Sequence, residues 1–268
     1  MALAATTFQP STIGNSVEYK KLGRSGLDVP GICVGCMGFG DLNRWGRPWL
    51  IGQDKADEVV KHALDLGLNW FDTANMYSIG ASEEILGNAL KRWKPDRDEL
   101  VIQTKVNQKM GTGPNRAGSS RKAIMSEIDH SLKRLQLDYV DVYILHRWDW
   151  DTPIEETMEA MNDVVKAGKA RYIGASAMFA WQFEKAYMTA KMHGWANFIT
   201  MQNHLNLLYR EDEGLRRRWR GLHPVQPKRL RLLLPPLGQQ AQPQRERLQD
   251  RREVRRHQGS RRAHRQPH

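Results

Sequence analysis

The sequence predicts an α/β fold in which a parallel sheet is covered by helices. Six short apolar, β-rich runs recur along residues 31–205, at a spacing of about 30 residues, and five stretches of helical period separate them. A doubly wound sheet and a (β/α)8 barrel both satisfy that alternation. A third observation bears on the choice: titratable side chains fall at the ends of successive strands, the rim on which barrel loops build active sites.

Residues 17–30, "VEYKKLGRSGLDVP", read as a hairpin turning at "RSG". The strand runs follow at 31–37, 69–74, 100–106, 140–146, 170–176 and 199–205. The first helix, "DKADEVVKHALDLG", has Asp54 as its N-cap candidate, Val59, Ala63 and Leu66 on one apolar face, and Gly67 as its stop. "SEEILGNALKRW" starts from Ser82, with acidic residues in its first turn. "SSRKAIMSEIDHSLKRLQ" aligns Ile124, Ile128, Leu132 and Leu135. "TPIEETMEAMNDVVKAGK" places Pro153 at the first helical position, capped by Thr152, and stops at Gly168. "AWQFEKAYMTAKMHG" ends at Gly194.

Charge divides the chain in two. The net charge of +11 conceals a tail, residues 214–268, with fifteen Arg and one Lys against Glu246, Asp250 and Glu253. The first 213 residues hold 25 basic and 27 acidic side chains and are close to neutral. Cys33 and Cys36 are the only cysteines, which argues against a disulfide framework. Their "CVGC" spacing lies in an apolar run with no second pair to complete a metal site, so they are expected to pack as small hydrophobes. No metal is expected. No run is apolar enough to span a bilayer and no signal peptide stands at the start, which makes the cytoplasm the expected location.

Asp72 ends the second strand run, Tyr77 lies in the loop after it, Lys105 ends the third and His146 the fourth. A tyrosine hydroxyl ordinarily ionises near about pH 10, and a neighbouring ammonium stabilises its phenolate. An aspartate pairs with that lysine and keeps it protonated. A neutral histidine can hold a substrate oxygen while the proton arrives. Together the four suit proton delivery to a carbonyl oxygen as hydride reaches its carbon. A dinucleotide fingerprint is weak: "GCMGFG" feeds a long loop, 41–53, rather than a helix. Trp45, Trp49, Trp148 and Trp150 either wall a pocket or pack the rim loops. "NQKMGTGPNRAG", 107–118, is a glycine-rich loop on the same rim with no phosphate-binding pattern.

The stretch "NWFDTANMYSIGASEEILGNAL" resembles the aldo-keto reductases, in the branch of fungal aryl-alcohol and secondary-metabolite reductases and potassium-channel β subunits. "YKKLGRSGLDVP", "TKV", "DYVDVYILHRWD", "TPIEETMEAMNDVVKAGKARYIGAS" and "MQNHLNLLYRE" extend the likeness over residues 17–213. The resemblance implies a TIM-type (β/α)8 barrel, here cut after about six strands, that reduces aldehydes or ketones with NADP(H). It implies Tyr77 as proton donor, Asp72 and Lys105 as its tuning pair, and His146 as the group that orients the carbonyl. Ser176, Ala177 and Gln202 match positions that hold the nicotinamide carboxamide together with Asp72, Ala177 through its backbone alone. Trp148 would join His146 in binding substrate. The alternative is a non-catalytic binding or regulatory subunit of the same fold, like the channel β subunits.

The family pattern stops after "YRED". From Gly214 the chain is Arg, Gln, Pro, Leu and His in no structural period, a composition expected to be disordered, while the stretch 1–16 is expected to be a flexible N-terminus. The tail is compatible with a phosphate-binding arm, a genuine alternative terminus or an out-of-frame reading, and the abrupt switch inside a family helix favours the last. The expected partner is therefore a small carbonyl compound, with no nucleic acid and no membrane. Six strands do not close an eight-stranded barrel, so low stability and low turnover are expected of the chain.

Overall fold

The computed structural model describes residues 17–204; the stretches 1–16 and 205–268, including the arginine-rich tail, lie outside the described residues. The described residues open with a hairpin of β1 (Tyr19–Lys21) and β2 (Asp28–Pro30), paired antiparallel with Tyr19 opposite Pro30, as residues 17–30 predict. Six strands then form one parallel sheet: β3 (Val34–Gly35), β4 (Trp70–Asp72), β5 (Val101–Val106), β6 (Val140–Leu145), β7 (Ala170–Ser176) and β8 (Phe198–Gln202). Each pairs with the next in chain order, β3-β4-β5-β6-β7-β8. That order decides between the two architectures, because a doubly wound sheet reverses direction at a switch point and this one never does. The described residues form a curled, barrel-type α/β sheet.

The curl follows from a single contact. Strands four places apart in a flat sheet stand about 19 Å apart. Yet Gln202 on β8 donates from Nε2 to Asp72 Oδ1 on β4 at 3.2 Å. Inside the curl, the hairpin drives the fully buried Leu22, with Val29, against Trp70, Val101, Val142 and Ile144. Gly23 (φ +62) turns the chain so close to β8 that a Cβ would lie 2.1 Å from the Ile199 carbonyl oxygen. This plug fills the end of the barrel opposite the strand C-termini.

A short helix, α1 (Leu42–Trp45), lies in the loop after β3, and the outer face of the sheet carries α2 (Gln53–Asp65), α3 (Ala81–Trp93), α4 (Arg121–Leu135), α5 (Ile154–Lys166) and α6 (Ala180–His193). Phe71, Ile102, Tyr143, Leu145 and Ile173 meet Leu86, Ile124, Ile128, Met158 and Val164 there, in one continuous apolar layer. Gly87 lets α3 and α4 meet backbone to backbone, since a Cβ at that position would stand 2.6 Å from the Leu135 carbonyl oxygen.

Several local expectations need correction. Gly52, not Asp54, caps α2, and the helix buries Ala56, Val60 and Ala63 while Val59 and Leu66 stay exposed. Asp57 is buried on that face too, where it accepts from Arg92 on α3 (2.7 Å) and from Gln53 one turn earlier (2.7 Å). Ser82 does not cap α3; its hydroxyl donates inward to the Cys36 carbonyl at 2.7 Å, and Gly80 stands at the cap. Pro153 is itself the N-cap of α5, and Thr152 donates to Asp149 instead. The run 31–37 is a strand only at Val34–Gly35, then turns into a short 3-10 helix, Cys36–Gly38. Gly194 ends α6 in the left-handed region as expected (φ +69).

Candidate active site

Side chains alternate across a strand, so at its C-terminal end one residue points into the curl while its neighbour, such as Val106 or Leu145, packs outward. Asp72 ends β4, Lys105 lies one residue from the end of β5, His146 follows β6, Ser176 ends β7 and Gln202 ends β8. With Tyr77 and Ala177 from the loops after β4 and β7, these side chains line one cleft of about 150 Å³, and Arg147, Asn203 and His204 complete its wall.

Lys105 is the hub. Its ammonium lies 2.6 Å from Asp72 Oδ1, donates to the Thr73 carbonyl oxygen at 2.7 Å and to the Tyr77 hydroxyl at 3.2 Å, and is 1 % exposed. Burial by itself would favour the neutral amine. The Asp72 carboxylate and the Tyr77 hydroxyl outweigh it, so the Lys105 pKa stands above the ordinary 10.5. The same ammonium lies 4.7 Å from the centroid of the Tyr77 ring, and the His146 ring meets that ring edge-on at 5.8 Å between centroids. The three residues named from strand ends and the one from the loop after β4 thus converge on one point, with Tyr77 between a cation and an imidazole.

Asp72 Oδ1 also accepts from Gln103 Nε2 at 2.8 Å, in addition to Gln202. Gln103 was not singled out in the sequence, although it stands two residues before Lys105 and so faces the same interior by strand period. Arg147 was missed as well, beside His146. Ser176 donates from Oγ to the Gln202 carbonyl at 3.1 Å. Ala177 has a left-handed backbone (φ 48) and gives its N–H to the same carbonyl at 2.9 Å. Ser176 and Gln202 are both buried in the cleft wall.

Trp148 is half-buried and is not among the residues that line the cleft; it meets Trp150 at 6.4 Å and Trp181 at 5.7 Å between ring centroids. Trp45 and Trp49 pair separately at 5.5 Å. Cys36 packs in the outer apolar layer and Cys33 against the inner one. Burial, with the nearby Asp72 charge, pushes both thiols well above the ordinary cysteine value, so neither is a ready thiolate. No His, Cys, Asp and Glu cluster suited to a metal occurs among the described residues. No helix among them is long and apolar enough to cross a membrane.

The model of the family described as "Aldo/keto reductase family" matches residues 31–221. The chain is similar to versiconal hemiacetal acetate reductase from Aspergillus parasiticus, 43% identical over 214 residues, which cover 74% of this chain and 62% of that protein. It is similar to aldo-keto reductase dtxS3 of Metarhizium robertsii, 41% identical over 219 residues and 74% and 59% of the two chains. It is also 39% identical over 247 residues, 83% of this chain and 71% of the other, to a putative aryl-alcohol dehydrogenase, AAD16, of Saccharomyces cerevisiae. The chain spans about three fifths of the length of the first two relatives. A parallel sheet curled in chain order, a rim bearing Asp, Tyr, Lys and His, and a family match over 31–221 all point to one conclusion. The chain belongs to the aldo/keto reductase family.

Proposed function

We propose that the chain serves the reduction of an aldehyde or ketone to an alcohol, with NADP(H) as hydride source and Tyr77 as proton donor, in the cytoplasm and in fungal secondary metabolism. The observation that carries the reading is one ammonium, Lys105 Nζ, bound to both Asp72 (2.6 Å) and the Tyr77 hydroxyl (3.2 Å) inside a cleft. Fungal reductases among the relatives support the substrate class.

The cleft residues fit the nicotinamide end of such a cofactor. Its carboxamide needs both donors and acceptors, and Ser176 and Gln202 present a hydroxyl and an amide in the cleft wall beside Asp72. A reduced nicotinamide bound there would supply the hydride. The protein's own work is proton delivery and charge stabilisation. His146 and Tyr77 hold the carbonyl oxygen between them. As negative charge develops on that oxygen, the Tyr77 O–H bond breaks and its proton moves to it. Lys105 stabilises the negative charge left on Tyr77, and Asp72 keeps Lys105 charged and in place. Trp148, with Trp150 and Trp181, offers an aromatic surface two residues beyond His146, to which a planar substrate would extend.

The test is oxidation of NADPH by 4-nitrobenzaldehyde, read as the ratio between the unaltered chain and Tyr77→Phe. Loss of general-acid catalysis should reduce turnover about 10²–10⁴-fold. Tryptophan quenching by NADPH should be the same in both chains. Equal turnover would remove Tyr77 from the role.

A further inference from the structure

We infer that the buried cluster Glu83–Arg134–Glu127 positions Tyr77, acting through Asn75 and Gly80; the inference rests on the reading of Tyr77 as proton donor. Tyr77 sits on a loop, residues 73–80, and a donor carried on a loop needs its backbone fixed from outside. The loop passes through the left-handed region at three consecutive residues, Ser78 (φ 50), Ile79 (φ 51) and Gly80 (φ 89). L side chains disfavour that conformation, and it persists only where the surroundings over-determine it.

The surroundings do so at both ends. On the strand side, Asn75 gives its backbone N–H to the Lys105 carbonyl at 3.2 Å and its side-chain Nδ2 to Glu127 Oε2 at 3.0 Å. On the helix side, Gly80 lies flat on Arg134, where a Cβ would stand 2.7 Å from Arg134 Cδ. Between them Ser78 Oγ accepts from the Asp41 N–H at 2.9 Å and donates to the Asp41 carbonyl at 3.2 Å.

Arg134 joins the two ends. Its Nε donates to Glu83 Oε2 at 2.6 Å and its guanidinium reaches Glu127 Oε2 at 3.8 Å. Glu83, which is 0 % exposed, accepts in turn from Thr104 Oγ1, on the residue before Lys105. Two carboxylates and a guanidinium buried together gain less stability than well-packed apolar residues of the same volume would. What the cluster supplies is geometry. It ties the loop of Tyr77, the strand of Lys105 and α4 to one charged centre, and it touches neither the Tyr77 ring nor its hydroxyl. Glu83, Arg134, Glu127 and Asn75 are positioning residues.

The full chain labelled with 3-fluorotyrosine tests this, with the Tyr77 fluorine signal assigned by its loss in Tyr77→Phe. Arg134→Gln removes the link, and Asn75→Ala removes only the hydrogen bond to Glu127 while leaving all three charges, so it folds even where Arg134→Gln does not. In Asn75→Ala the Tyr77 signal should shift or split. Signals of the tyrosines remote from the cluster should stay; Tyr143, which feels the Glu83 and Glu127 charges, does not serve as a reference. Turnover of 4-nitrobenzaldehyde should fall by up to about 10²-fold with KM for NADPH unchanged, the signature of a misplaced donor. An unmoved Tyr77 signal in Asn75→Ala overturns the inference and leaves the donor role intact. Turnover retained by Tyr77→Phe sinks the donor role while the fluorine result stands.

Discussion

Lys105 shows how much depends on a single buried charge. Its ammonium and the Asp72 carboxylate are both almost without solvent, so removing one strands the other. Lys105→Met should cost about 3–5 kcal/mol in a urea titration, the range for breaking a buried pair. Because the folded pKa of Lys105 lies above the ordinary 10.5, its contribution is complete at neutral pH and is lost as pH rises past 10.5 through the folded value. A series of alkaline urea titrations should therefore show the unaltered chain weakening above 10.5 relative to Lys105→Met; parallel curves would mean that the ammonium gains nothing from Asp72. Residues of this kind were legible from sequence because each stands at a strand end and its chemistry makes sense beside the others. Gln103 was not, because an amide does not announce a role until its carboxylate partner, 31 positions away, is known to face it.

At the scale of elements, the order and type of strands and helices were legible while their starts were not. Periodicity averages over a whole element, whereas a cap depends on one side chain whose choice of partner is set by tertiary contacts. Ser82 and Thr152 have the chemistry of caps, yet both hydroxyls bond elsewhere, to Cys36 and to Asp149. Asp149 explains the second case. It accepts from the Ser119 N–H at 2.6 Å, the Asp151 N–H at 3.0 Å and Thr152 Oγ1 at 2.8 Å, and so latches the end of loop 107–118 to the loop after β6. Partial burial would raise the Asp149 pKa, but these hydrogen bonds prevail and lower it below 3.8. The latch is therefore intact above 3.8 and is lost as pH falls through the lower folded value. Asp149→Ala should open the loop at neutral pH, and trypsin should then cut faster after the exposed Lys109 and Arg116. Unchanged cleavage at those two sites would show that the loop is held by other contacts.

For the molecule as a whole, what sequence could not display is the curl of the sheet. A carboxylate on β4 and an amide on β8 are 130 positions apart, and only the curl brings them to 3.2 Å. Asp72 Oδ1 thereby collects three donors from two other strands: Lys105 and Gln103 on β5 and Gln202 on β8. The atom that serves the chemistry is also a stitch across the mouth of the sheet. β5 and β6 sit in the middle of the sheet, flanked by paired strands on both sides, while β8 pairs with β7 alone among the described residues. Backbone amides of Val101–Val106 and Val140–Leu145 should exchange slowest with deuterium, and those of Phe198–Gln202 faster. Gln202→Ala removes the stitch and keeps every backbone bond of the β7–β8 pair. If the cross-sheet bond helps to hold the curl, exchange in Phe198–Gln202 rises in that variant and exchange in β5 and β6 does not. If exchange at β8 is the same with and without the Gln202 amide, the curl is set by the Leu22 and Gly23 plug beneath it, and Gln202 is left with the cleft alone.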